Sequence, residues 1–94
     1  MEYFQRGQEA IEGNNLTEGL VYYETFLERY PDDYENGVVA EYWVANIQRK
    51  MGNADTARQL FNELLAKEDS LQGQVADWPF VLSRRVLEEM DEQP

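Results

Sequence analysis

GQEAIEGNNLTEGLVYYETF, residues 7–26, and ANIQRKMGNADTARQLFNEL, residues 45–64, share one skeleton at an offset of 38 residues. Gly7, Gly19, Tyr23 and Phe26 of the first stretch correspond to Ala45, Ala57, Phe61 and Leu64 of the second. Asn14-Asn15 and Gly52-Asn53 hold the same place in each unit. Small residues at such spacing let two helices cross closely, and the aromatic fills the space above the crossing. An internal duplication of this kind marks a helical-repeat scaffold, whose units bury their apolar faces against one another.

Working outward from the duplication, the apolar spacing predicts five helices. Tyr3, Phe4, Gly7, Ala10 and Ile11 recur with helical period up to a stop at Gly13-Asn14. Leu16, Leu20, Tyr23, Phe26, Leu27 and Tyr30 repeat the pattern until Pro31, because the residue before a proline is driven out of helical geometry. Asp32 to Gly37 reads as a polar turn. From Val38 to Met51 the apolar residues occupy two faces: Val38, Tyr42 and Ala45 on one, Ala40, Val44, Ile47 and Met51 on the other. A helix apolar on two sides lies between neighbours. Gly52 is its stop and Asn53 the expected N-cap of the next helix, whose stripe is Ala57, Leu60, Phe61, Leu64 and Leu65. Ser70 to Ala76 reads as a linker. Asp77-Trp78-Pro79 opens a last helix with an expected buried face of Trp78, Val81, Leu82, Val86 and Met90, and Asp91 to Pro94 as a frayed acidic tail. No run alternates with period two. The fold class expected is therefore all-α: two helix pairs in a right-handed α-α superhelix, closed by a C-terminal capping helix. Residues 1–94 form a single domain, with a first unit at about 1–33, a second at about 38–70 and the cap at about 77–91.

Composition narrows the function. The chain has neither cysteine nor histidine, so thiol chemistry and the commonest general base and transition-metal ligand are absent. A net charge of −11 repels nucleic acid and anionic membrane surfaces. No apolar run approaches the length of a membrane span. MEYFQRGQEA at the N-terminus has no apolar h-region, so no signal peptide is expected. The localisation expected is cytoplasmic, or periplasmic if the sequence is a fragment lacking its leader. No catalytic residue, metal site or cofactor is expected.

The two units resemble the tetratricopeptide repeat family, whose unit is about 34 residues long. The residues that carry the resemblance are Tyr3, Gly7, Ala10, Leu16, Gly19, Tyr23, Phe26 and Pro31, then Val44, Ala45, Gly52, Ala57, Phe61 and Leu64. Phe26 and Leu64 are large where the family has a small residue. Glu41 stands where an aromatic opens the family's unit, and Asp69 where proline closes it. The excess over the family's period falls most simply in Asp32–Gly37. Phe26-Leu27-Glu28-Arg29-Tyr30-Pro31-Asp32 and Glu41-Tyr42-Trp43-Val44-Ala45 are also similar to repeats of bacterial cell-envelope proteins, which suggests envelope assembly as an alternative setting.

The resemblance implies a non-catalytic protein-protein interaction module that binds a peptide or protein segment on its concave face. Carried over residue by residue, the groove is Phe4, Gln8, Ile11 and Glu12 in the first unit and Val39, Tyr42, Asn46, Arg49 and Lys50 in the second. Asn46 and Gln8 can pair with a peptide backbone, Phe4 and Tyr42 offer rigid apolar anchors, and Arg49 and Lys50 can hold a carboxylate. The competing reading makes Tyr42 and Ile11 core residues and Arg49-Lys50 a favourable helix C-terminus. The family's clamp for chaperone C-termini requires lysine and asparagine where Phe4 and Trp43 stand, so that role is not expected. The alternative function is homo-oligomeric self-association, since about three repeats are usually needed for independent stability. Asn15-Leu16-Thr17 fits a glycosylation sequon but reads better as a cap. Asp32 to Gly37 fails as a calcium loop because Tyr34 and Trp43 occupy ligand positions.

Overall fold

In the computed structural model, residues 2–92 are described. They form α1 (Glu2–Glu12), α2 (Leu16–Arg29), α3 (Tyr34–Lys50), α4 (Ala54–Leu65), α5 (Glu68–Leu71) and α6 (Trp78–Glu92). No strand occurs among them. The fold is all-α, built from helices that pack on their sequence neighbours, as short connections require. The shortest dimension is 17 Å, which fits two layers of helices at the usual axial separation.

The two Asn-containing stops are the same device. Asn14 has a φ of 60° and Gly52 a φ of 89°. In the first, the Asn15 amide donates to the carbonyl of Ala10 at 2.7 Å and the Asn14 amide to that of Ile11 at 2.9 Å. In the second, Asn53 donates to Gln48 at 2.9 Å and Gly52 to Arg49 at 3.0 Å. This 6→1 and 5→2 pair ends a helix by turning one residue left-handed. Asn15 then caps α2: its Oδ1 accepts from the Glu18 amide while its Nδ2 donates to the Glu18 carboxylate. Asn53 occupies the N-cap of α4 but makes no side-chain cap bond; its Nδ2 donates to Gln48 Oε1 at 2.8 Å instead.

The core has two parts, and α3 belongs to both. Ala40, Val44 and Ile47 face α2 together with Tyr23 and Phe26. Val38, Tyr42 and Ala45 face the other way, with Ala57, Phe61 and Leu64 of α4 and Phe80, Val86 and Met90 of α6. This matches the two-faced pattern, apart from Met51, which is exposed. The small residues act as the duplication implies. A Cβ on Gly7 would lie 2.6 Å from Cε2 of Tyr23, whose ring occupies that space. A Cβ on Gly19 would lie 3.3 Å from Ile11 Cγ1. Tyr23 is fully buried, so it cannot swing away. Gly7→Ala is therefore expected to destabilise by about 1–3 kcal/mol, in spite of alanine's better helix propensity. Chemical denaturation checks this; an unchanged or higher midpoint refutes the tight crossing. Ala57, also fully buried, carries the same expectation for Ala57→Leu, about 1–3 kcal/mol.

Four expectations are corrected. Asp32–Gly37 is not wholly a turn: α3 starts at Tyr34, with the Asp33 side chain accepting from the Asn36 amide as its cap. Four extra residues are close to one helical turn, so they lengthen α3 without rotating Val38 and Tyr42 off their face. The Ser70–Ala76 linker is shorter than expected, because Glu68–Leu71 forms the one-turn helix α5. Tyr30 lies outside α2 and is half exposed. In α6 the buried residues are Pro79, Phe80, Ser83, Val86 and Met90, whereas Trp78 and Val81 are exposed. Ser83 can be buried because its hydroxyl donates to the Pro79 carbonyl at 2.5 Å, a back-bond that hides its polarity. Asp91 and Glu92 are helical, and the rest of the expected tail lies outside the described residues.

Candidate functional site

The expected groove residues form two stripes at equivalent positions of α1 and α3. Phe4, Gln8 and Ile11 follow one another at i, i+4 and i+7, as do Tyr42, Asn46 and Arg49. Tyr23 links the stripes. Its ring lies 5.5 Å from that of Phe4 and is stacked on Trp43 at 6.2 Å and 18°. Its hydroxyl accepts from Gln8 Nε2 at 2.7 Å. Gln8 is thus already engaged within the fold. Phe4 also meets the ring of Phe26, and Ile11 rests over Gly19, so both have packing partners beside their half-buried surface.

The second stripe differs. Tyr42 is buried among Trp43, Phe61 and Trp78, with ring centroids 5.3–6.0 Å away. Asn46 is also buried, at 8% exposure. Arg49 lies 3.4 Å from Glu89. Val39 is half-buried, and Glu12 and Lys50 are exposed. Sequence reasoning missed Trp78 and Glu89, which α6 brings onto this stripe. Trp78 packs edge-on against Tyr42, and Glu89 engages Arg49.

Burial raises the Tyr23 hydroxyl above the ordinary tyrosine range, partly opposed by its bond to Gln8. Burial likewise raises Tyr42; Arg49 pulls it down and Glu89 pushes it up. A folded value above the unfolded one means stability that is complete below the unfolded value, about 10, and lost as pH rises through the folded one. Tyr23 and Tyr42 are expected to ionise above the ordinary tyrosine value, their contribution to stability falling away above about pH 10. Ultraviolet absorbance titration of Tyr23→Phe and Tyr42→Phe beside the parent checks the assignment. If either variant loses absorbance change at the ordinary tyrosine value and not above it, the assignment is contradicted.

Among the described residues, no group of three or more acidic side chains is placed to hold a metal ion. No described helix is long and apolar enough to cross a membrane. Residues 39–69, which run through α3, α4 and into α5, match the tetratricopeptide repeat family. This chain carries a tetratricopeptide repeat. Neither the curated proteins nor the solved structures contain a match to it. The matched span is the second of the two units, and the first repeats its skeleton at the 38-residue offset. Tetratricopeptide repeats are protein-binding scaffolds and generally non-catalytic.

Proposed function

We propose that the repeat serves as a non-catalytic adaptor holding a peptide segment along the α1 and α3 stripes. The observation that carries this reading is Asn46. It is a polar side chain set, almost buried, between an aromatic anchor at Tyr42 and cations at Arg49 and Lys50. An amide so placed suits a peptide backbone, and the adjoining cations suit a carboxylate. Tyr42 and Phe4 support the fold as well, so replacing them does not isolate binding.

The test therefore uses Asn46→Ala and Lys50→Glu, each checked for an unchanged circular dichroism spectrum. A partner captured from lysate by the parent chain is expected to be lost by the Asn46→Ala, Lys50→Glu double variant. Equal capture by both chains rejects the groove. Self-association is the second reading, and the exposed Trp78 and Val81 on α6 favour it. Multi-angle light scattering over a range of concentrations decides it: a constant monomer mass rejects self-association.

A further inference from the structure

The first turn of α3, Tyr34–Gly37, and the short helix α5 wall the same cavity. It measures about 580 Å³, and its apolar lining comes from Leu27, Tyr30, Tyr34, Val38 and Leu71. A smaller cavity of about 210 Å³ shares Leu27, Glu41 and Lys67 with it and extends along Leu60 and Leu64. The Lys67 ammonium, 2.6 Å from the Glu41 carboxylate, lies where the two meet. On α3 this trough uses Tyr34, Gly37, Val38 and Glu41, an i, i+3, i+4, i+7 stripe. Asn46 and Arg49 lie five and eight residues beyond Glu41, farther along that helix.

Tyr34 is 54% exposed and Tyr30 49%, so two large rings flank a cavity within the size range of ligand sites. The charge around them is one-sided. Segments 30–41 and 67–74 carry Asp32, Asp33, Glu35, Glu41, Glu68 and Asp69 against the single cation Lys67. Glu41 is paired with Lys67 and Glu68 with Arg84, and Asp33 caps α3. Asp32, Glu35 and Asp69 are exposed and adjoin in sequence the lining residues Pro31, Asp33, Tyr34 and Ser70. A second copy of the chain, at a net charge of −11, is a poor complement to these carboxylates.

We propose that this trough binds a cationic peptide segment of a partner protein, one large apolar side chain entering between Tyr34, Val38 and Leu71 while its lysines or arginines meet Asp32, Glu35 and Asp69. Aromatic walls supply rigid contact area, and the acidic charge selects the sign of the partner and speeds its approach. The site is separate from the Asn46 stripe, so each can fail without the other.

The test is an amide NMR titration of the whole chain with two synthetic peptides of about ten residues, one alternating leucine with lysine and one alternating leucine with glutamate. The lysine peptide is expected to shift the amides of Leu27, Tyr34, Val38 and Leu71 and to saturate; the glutamate peptide is expected to leave them in place. Tyr34→Ala changes neither net charge nor a buried contact, and is expected to weaken the lysine peptide about fivefold or more. Lys67→Gln, which releases Glu41 into the trough, is expected to tighten it about threefold. Four results overturn the proposal: equal binding of both peptides, shifts centred on Asn46 and Lys50, a Tyr34→Ala titration identical to the parent, or shifts at these amides on raising protein concentration alone, which would make a second copy the occupant.

Discussion

Ending the chain at residue 76 is expected to abolish cooperative unfolding. The loss follows from what α6 covers. Phe80, Val86 and Met90 belong to the same buried cluster as Val38, Tyr42, Phe61 and Leu64, and Leu82 and Leu87 pack at its edge. Burial of three such side chains contributes roughly 5–9 kcal/mol, and a small domain has about 5–15 kcal/mol in total. Removing α6 also strips Trp78 from Tyr42, Glu89 from Arg49 and Asp91 from Arg58, although the exposed ion pairs add little. The truncated chain is expected to bind a hydrophobic dye and to melt over a broad range or aggregate on warming. A truncated monomer with a sharp melting transition would show that two helix pairs suffice and that α6 is an accessory.

How much of this was legible beforehand depends on whether polarity agreed with burial. The split of α3 into two apolar faces could be read because Ala40, Val44 and Ile47 and, on the other side, Val38, Tyr42 and Ala45 are all apolar and all buried. The helix ends could be read because Asn14 and Gly52 tolerate a positive φ. The face of α6 could not, because polarity misled there. Ser83 looks like a surface residue but satisfies its hydroxyl within its own helix, while Trp78 and Val81 look like core and are exposed. A signal was present: carrying the 38-residue offset once more takes Tyr42 to Phe80 and Ala45 to Ser83, the aromatic and small positions that are in fact buried.

The groove was partly legible. Its positions on α3 follow from the repeat register, but the engagement of Gln8 by Tyr23 and the arrival of Trp78 and Glu89 depend on how whole helices pack. The Tyr34–Leu71 trough was not legible at all. It needs the extra residues of 34–37 to be helical, and a run as polar as Asp32 to Gly37 gives no apolar period from which to infer that.

Phe26→Ala restores the small residue that the family prefers at this position, yet it is expected to destabilise this chain by about 3–5 kcal/mol. Agreement with a family pattern usually favours stability. Here the neighbours have been built around the larger side chain. Phe26 is fully buried, and its ring meets those of Tyr3 at 6.4 Å, Phe4 at 5.0 Å and Tyr30 at 5.2 Å. Tyr3 and Phe4 lie on α1 and Tyr30 caps the end of α2, so one ring ties the start of the chain to the turn before α3. Alanine would leave a void that aromatic rings held on two backbone segments, α1 and the end of α2, cannot close together, and each edge-to-face contact would be lost with it. Phe26→Leu, which keeps most of the volume, is expected to cost less than half as much. Urea unfolding of the three chains measures the difference. A Phe26→Ala midpoint equal to or above that of the parent would mean that the family's small residue fits here after all, and that α1 is held by Gly7 and Tyr23 without the aromatic cluster.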